Sequence, residues 1–256
     1  MRISLIQTDL YWEKRDANLE KIETVIDTIS SKTDLVILPE MFSTGFSSNA
    51  EKLSESPGSV TFQWMKERAQ KGNFGICGSY IIMEEGKYFN RWIFVSPEGE
   101  VWTYDKRHLF SPGNENRTYT AGKSRIIFSF RDVRICPNIC YDLRFPVWSR
   151  NRNDYDLLIN SASWPASRKD AWMTLLKARA VENQCYVAAA NRIGIDGNWI
   201  SHCGESVIFG PRGEFIASGR PNEESVVSGE ISMTELNDFR EKFPVMNDAD
   251  RFTIDF

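Results

Sequence analysis

The chain has no excess of positive charge: 31 lysines and arginines stand against 35 aspartates and glutamates, for a net charge of −4. With no basic stripe in it, the sequence offers no electrostatic footprint to nucleic acid or to an anionic membrane surface. It also has no long apolar run, and nothing in it approaches the roughly 20 residues that span a bilayer. The first residues, MRISLIQTDL, alternate too early and are too short and polar for a signal peptide. The expected location is therefore the cytoplasm. A disulfide framework is missing too, since Cys77, Cys136, Cys140, Cys185 and Cys203 are odd in number and irregular in spacing. Reduced thiols are expected. Cys136 and Cys140 are four apart and His202 adjoins Cys203, and neither spacing matches a zinc knuckle or a CxxC pair, so no metal is expected. With no composition break, linker or internal repeat, residues 1–256 read as a single domain.

What is there is an alternation of strand and helix patterns. Residues 2–8 read as a strand, and Asp16 is placed to cap a helix whose apolar positions Leu19, Ile22, Val25, Ile26 and Ile29 recur at helical spacing. A strand over 34–38 completes a βαβ opening, so a parallel sheet is expected. A helix over 59–71 and a strand over 74–83 follow. Then come a hairpin of 87–96 with 100–105 around Pro97-Glu98-Gly99, and a second pair, 125–130 with 133–140. Pro137 suggests a local bulge or an edge within that last strand. Strands over 155–160, 186–191, 205–209, 214–217 and 225–231 and helices over 169–184 and 232–242 complete the chain. The class is α/β, with antiparallel hairpins added to a parallel framework.

Several of these strands end in residues able to do chemistry. The stretch RICPNICYDLRFPVW carries Cys140 where an apolar strand gives way to Tyr141, Asp142 and Arg144, so the chain has to turn there. In α/β proteins the carboxyl ends of strands are where ligands bind. A cysteine is equally at home as a small core residue, and the position alone leaves both readings open. Glu40 follows the apolar strand Leu35-Val36-Ile37-Leu38 and Pro39. It is either a solvated loop acid or a base held in an apolar pocket of Leu38, Pro39, Met41, Phe42 and Phe46, where desolvation raises a carboxyl pKa. Lys106 ends the second arm of the first hairpin; most lysines in such a place are solvated. Glu115 lies in SPGNENRTYTAG, which by composition is simply a loop. Brought together, a thiol, a carboxylate and an ammonium would supply a nucleophile, its base and a cationic donor for an oxyanion.

The patterns LVILPEMFSTGF, YDKRHLF and ICYDLRFPVW, in that order, resemble the three signature blocks of the nitrilase (carbon–nitrogen hydrolase) superfamily. The similarity extends through INSASWPASRKDAW and LLKARAVENQCYVAAANR over nearly the whole chain, and these later blocks look most like the omega-amidase branch. The resemblance implies a four-layer α-β-β-α sandwich assembled as a homodimer or larger homo-oligomer. It implies Glu40 as general base, Lys106 as catalytic lysine, Cys140 as nucleophile, and Glu115 as a second glutamate that positions the others. Tyr141 would offer its backbone N–H to the oxyanion. No cofactor is implied. Ala171 stands before Trp172 where close relatives often carry histidine, which bears on substrate preference and not on the chemistry.

The substrate that the resemblance implies is a small dicarboxylic monoamide such as 2-oxoglutaramate. Its free carboxylate needs a partner, and Arg144 is the candidate, although a salt bridge with Asp142 or Glu182 would account for it equally well. Trp164 is either an apolar wall of the pocket or a core residue. Other aliphatic amides, carbamoylated amines and nitriles belong to the same chemistry. A silent scaffold that keeps the fold, and a redox pair of Cys136 with Cys140, are the readings from other classes.

Overall fold

The computed structural model describes residues 1–29 and 33–254. Its strands are β1 (Arg2–Gln7), β2 (Leu35–Ile37), β3 (Gly75–Glu84), β4 (Lys87–Val95), β5 (Val101–Asp105), β6 (Phe128–Phe130), β7 (Val133–Ile139), β8 (Leu157–Ala162), β9 (Tyr186–Asn191), β10 (Ile193–Ile195), β11 (Ser201–Cys203), β12 (Val207–Phe209), β13 (Phe215–Ser218) and β14 (Ser225–Glu230). The helices are α1 (Arg15–Asp27), α2 (Ala50–Leu53), α3 (Val60–Gly72), α4 (Glu115–Thr118), α5 (Pro146–Ser149), α6 (Lys169–Asn183) and α7 (Met233–Lys242). Two six-stranded sheets result, ordered β14-β1-β2-β3-β4-β5 and β13-β12-β9-β8-β7-β6, with β10–β11 as a separate hairpin.

The two sheets share one plan. In the first, β1, β2 and β3 are parallel, β14 pairs antiparallel with β1 at one edge, and β4 and β5 continue antiparallel at the other. In the second, β7, β8 and β9 are parallel, with β6 antiparallel at one edge and β12 and β13 at the other. This repeat of topology has no counterpart in the amino-acid sequence, which shows no internal repeat. Each parallel pair needs a crossover connection. α1 and α3 supply the crossovers in the first sheet, and α6 joins β8 to β9 in the second.

Strand periodicity separates the layers. Ile3, Leu5, Leu35, Ile37, Trp92 and Phe94 point toward the second sheet and share a core with Phe128, Ile135, Ile139 and Leu157. The intervening Ile6, Val36, Leu38, Ile93 and Val95 pack on the other face with Leu19, Ile22 and Ile26 of α1 and Met65 and Ala69 of α3. On the outer side of the second sheet, Trp172, Leu176 and Ala180 present one buried stripe of α6. The expected α-β-β-α sandwich is therefore present. No helix among the described residues is long and apolar enough to cross a membrane.

Three local expectations need correction. Asp16 lies within the first turn of α1, and Lys14 occupies the cap; there the carboxylate favours the helix dipole without capping it. Of the two alternatives for Pro137, the bulge is absent, because β7 keeps its register with β8 through Pro137↔Ile159, and the edge is present. On the other side β6 pairs only with Val133–Ile135, so no ladder bond is asked of the imide nitrogen. The segment around Glu115 forms the one-turn helix α4.

The inter-sheet layer is dense and aromatic. The Phe94 ring lies 4.9 Å from that of Phe128 and 5.0 Å from that of Phe130. Replacing Phe94 by alanine removes contacts on both sides of the seam and should lower the unfolding free energy by about 3–5 kcal/mol. Urea denaturation measures this, and a loss below about 1 kcal/mol would show that the sheets close over the gap.

Candidate active site

Glu40 lies where β2 stops. The chain leaves the ladder at Pro39, which has no N–H to give, and the Glu40 backbone N–H donates to the Ala162 carbonyl of the second sheet at 3.3 Å. Its carboxylate is fully buried, but it is not enclosed by apolar groups alone as the sequence suggested. Phe42 and Leu38 turn to the helix layer, and donors surround the acid. Glu40 Oε1 accepts from Lys106 Nζ at 2.7 Å and from Asn90 Nδ2 at 2.8 Å, while Oε2 accepts from the Ser163 N–H at 3.0 Å.

Lys106 is no surface lysine: it is completely buried. β5 runs in the same direction as β3, two strands away, so the chain emerges from it at the end of the sheet where β2 releases Glu40. Besides Glu40, its ammonium donates to Glu115 Oε2 at 2.8 Å and to Oε1 at 3.1 Å. Burial acts to deprotonate Lys106, but Glu115 and Glu40 outweigh it and raise its pKa, so the group stays charged. Glu115 is raised by burial and by Glu40, against the pull of Lys106. Asn90 bridges the two acids, donating also to Glu115 Oε1 at 3.1 Å.

Cys140 comes from the second sheet. β7 ends at Ile139, and Cys140 itself takes φ 44°, a left-handed conformation that costs a non-glycine residue about 1–3 kcal/mol. The chain then enters a 3-10 turn, Cys140–Arg144, as the polar run after the thiol suggested. The side chain is buried but lines a cavity of about 350 Å³. Burial and the neighbouring Glu40 carboxylate push the thiol well above its ordinary range, while Lys106 and the Ser163 N–H pull the other way. At rest the sulfur therefore keeps its proton beside a carboxylate that can take it.

The structure brings Glu40, Lys106 and Cys140 to one cavity, with Tyr141, Arg144 and Trp164 on its walls. Glu115 sits behind Lys106. Neither salt bridge considered for Arg144 exists: Asp142 binds other groups and Glu182 pairs with Arg179. Instead the Arg144 guanidinium lies 5.0 Å over the Trp164 ring. Trp164 is both wall and core, tilted against Trp172 at 5.4 Å. Ala171 is not part of the cavity; it packs against the main core.

Sequence reasoning missed four residues. Asn90 sits in the aromatic strand KYFNRWIFV, and a polar group inside such a run is the one signal it offered. Ser163 supplies the N–H to Glu40, a role no side chain advertises. Asp142 is buried and spends both oxygens on holding two loops. Oδ2 accepts from Tyr104 Oη at 2.7 Å and from the Ile139 N–H at 3.0 Å; Oδ1 accepts from the His108 N–H at 2.9 Å and lies 2.8 Å from His108 Nδ1. It thereby ties the residue before Cys140 to the loop after Lys106. His202 lines the cavity with Nε2 3.3 Å from Ser163 Oγ, and burial together with Arg192 lowers its pKa to about 4, despite Asp196.

The chain belongs to the carbon–nitrogen hydrolase family, whose model matches residues 2–241, and with the relatives below this makes it an amide-hydrolysing enzyme. Among its relatives, the omega-amidase YafV of Escherichia coli (strain K12) is 44% identical over 254 residues, covering 99% of this chain and 98% of the relative. The 2-oxoglutaramate amidase of Bacillus subtilis (strain 168) is 35% identical, covering 96% of each. A crystal structure of a superfamily protein from Xanthomonas campestris, with an arsenic adduct in its active site, superposes with a TM-score of 0.97 at 40% identity, covering 100% of this chain and 99% of that one.

Two outcomes follow from this geometry. Asp142→Asn places an amide donor against the N–H and O–H groups that now donate to Asp142. It should lower kcat about 10- to 100-fold with KM changed less than about threefold, because a misplacement near 1 Å costs that much; steady-state kinetics on protein with unaltered circular dichroism measures it. His202 gives a pH dependence with a definite sign. Its folded pKa of about 4 lies below the ordinary value of about 6.5, so the unfolded chain binds the extra proton first and stability falls as pH drops from about 6.5 to about 4. His202→Gln should flatten that part of a chemical-denaturation profile by about 3 kcal/mol, and an unchanged slope would assign it to other groups.

Proposed function

We infer that this chain is an omega-amidase, hydrolysing the terminal amide of a small dicarboxylic monoamide such as 2-oxoglutaramate to the dicarboxylic acid and ammonia. The observation that carries this is the cavity itself: the Cys140 thiol and the Glu40 and Lys106 groups occupy one end, and the Arg144 guanidinium, without a carboxylate partner among the described residues, occupies a wall. The names of the similar E. coli and B. subtilis proteins support the same substrate class.

Glu40 Oε2 takes the thiol proton, and Cys140 Sγ forms a bond to the amide carbon as the carbonyl π pair moves to oxygen. The oxyanion is held by Lys106 Nζ and the Tyr141 N–H; one such donor typically contributes about a hundredfold or more in rate. Collapse expels the amine, protonated by Glu40, as ammonia and leaves a thioester. Glu40 then removes a proton from water, whose oxygen attacks the thioester, and the departing thiolate recovers that proton as the acid leaves. Glu115 and Asn90 hold Lys106 and Glu40 in place throughout. Arg144 receives the substrate's free carboxylate, and Trp164 walls its methylene chain. The whole chain acts as one catalytic domain in the cytoplasm, a reading that rests on its composition and residue patterns, and as a homodimer or larger homo-oligomer, which rests on the family resemblance.

Cys140→Ala should lower ammonia release from 2-oxoglutaramate by at least about a thousandfold while leaving the thermal midpoint within a few degrees. Release by the wild type from 2-oxoglutaramate and 2-oxosuccinamate, exceeding release from glutamine, asparagine and propionamide, is the expected pattern. Faster turnover of propionamide would keep the chemistry and replace the substrate. Silence on every amide would shift the reading to a carbamoyl substrate or a binding role.

A further inference from the structure

Many arginines of this chain already hold a carboxylate. Arg91, Arg125, Arg134 and Arg192 pair with Asp105, Asp154, Asp156 and Asp9. Two half-buried arginines on the cavity wall differ: Arg144 and Arg168 both line the space in front of Cys140, and among the described residues neither has an acidic partner. Each guanidinium is seated on a ring instead, Arg144 5.0 Å over Trp164 and Arg168 5.2 Å over Phe110. A face-on seat of this kind leaves the edge N–H groups free to fork onto an anion.

The two seats are linked to each other and to the catalytic end. The Trp164 indole N–H donates to the Arg168 carbonyl at 2.9 Å. The Phe110 N–H donates to Glu115 Oε2 at 2.5 Å, and the Phe110 ring stands edge-on to Tyr141 at 5.1 Å. Arg144 comes from the turn that carries the nucleophile, whereas Arg168 comes from the 3-10 turn that leads into α6. Among the described residues Arg168 makes its hydrogen bonds through its backbone alone, so the N–H groups of the guanidinium that rests on Phe110 are available to something else.

Two unpaired cations around one cavity repel each other until an anion joins them. A carboxylate beside a ketone presents three acceptor oxygens, more than one guanidinium fork can satisfy. Two carboxylates also line the cavity: Glu40 is paired with Lys106, and Asp196 has Oδ1 engaged by the N–H groups of Asn198 at 2.8 Å and Ile200 at 3.0 Å. An α-ammonium group in place of the ketone would meet the two guanidinium cations, with Asp196 alone to offset them.

We propose that Arg168 is a specificity-determining residue that closes with Arg144 on the carboxylate and adjoining ketone of a 2-oxo acid amide, selecting it over 2-amino acid amides and over amides with no acid group. The proposal rests on the omega-amidase reading above and names the residue that sets its preference.

The test uses the full chain as wild type, Arg168→Ala and Arg168→Lys, with ammonia release from 2-oxoglutaramate and from propionamide, and with 2-oxoglutarate as inhibitor of propionamide turnover. For Arg168→Ala, KM for 2-oxoglutaramate should rise at least about tenfold more than KM for propionamide, the lower end of what a charge-assisted hydrogen bond contributes. Its kcat should fall less than about threefold, the inhibition constant of 2-oxoglutarate should rise in step, and Arg168→Lys should recover part of the loss. Equal changes for both amides with an unaltered inhibition constant would overturn the proposal, since that is what a structural role produces. If the wild type hydrolyses propionamide and not 2-oxoglutaramate, the omega-amidase reading fails. The inhibition constants then decide about Arg168 separately: weaker inhibition of the alanine variant supports the guanidinium pair, and equal inhibition refutes it.

Discussion

One ammonium held between two carboxylates, all three removed from water, is the constraint on which the rest of this structure depends. Taking an ion out of water costs several kcal/mol even after the protein relaxes, and a single opposite charge does not return it. Lys106 meets the cost with Glu40 on one side and both oxygens of Glu115 on the other. Two acids and one cation leave an excess of negative charge, and neutral donors absorb it: Asn90, the Ser163 N–H and the Phe110 N–H. These donors come from separate parts of the chain. The fold must therefore be complete before the cluster is tolerable, and the same completeness places Cys140 against a carboxylate and an ammonium.

The donors also explain why the site lies where two sheets meet. Glu40, Asn90, Lys106 and Glu115 belong to the first sheet and its loops, whereas Cys140 and Ser163 follow strands of the second. Both sheets carry three parallel strands at their centre, and both release those strands toward the same rim. Asp142 bridges the two there, tied to Ile139 of one sheet and to Tyr104 and His108 of the other. Glu40 and Cys140 are thereby contributed by different layers of the sandwich, and neither layer forms the cluster by itself.

What was legible in the sequence divides along the same line. The period-two strands, the amphipathic α1, α3 and α6, and the mixture of parallel and antiparallel pairing were readable from residue patterns, since each is a local property. The burial of Lys106 was not, because its neighbours Asp105, Arg107 and His108 look like a solvated strand end, and what buries it is Glu40, 66 residues away. Pro137 left a bulge and an edge both open for a related reason: its effect on a ladder depends on whether a neighbouring strand reaches that far, and β6 does not, so it lies at an edge. The resemblance to carbon–nitrogen hydrolases supplied the grouping of Glu40, Lys106 and Cys140, which spacing alone left open. It did not point to Asn90, Ser163 or Asp142, whose positions follow from how the sheets are set against each other. The shared plan of the sheets escaped notice because backbone topology repeats while side chains do not.

The aromatic layer of Phe94, Phe128 and Phe130 has a consequence at a distance from itself. It sets how far one sheet can slide over the other, so it works as the spacer that gauges the separation of Glu40 from Cys140. Variation in this layer would be felt as detuned chemistry while every group around the cavity kept its identity. Sequence drift in the enzyme is then constrained also in a dry seam away from the cavity.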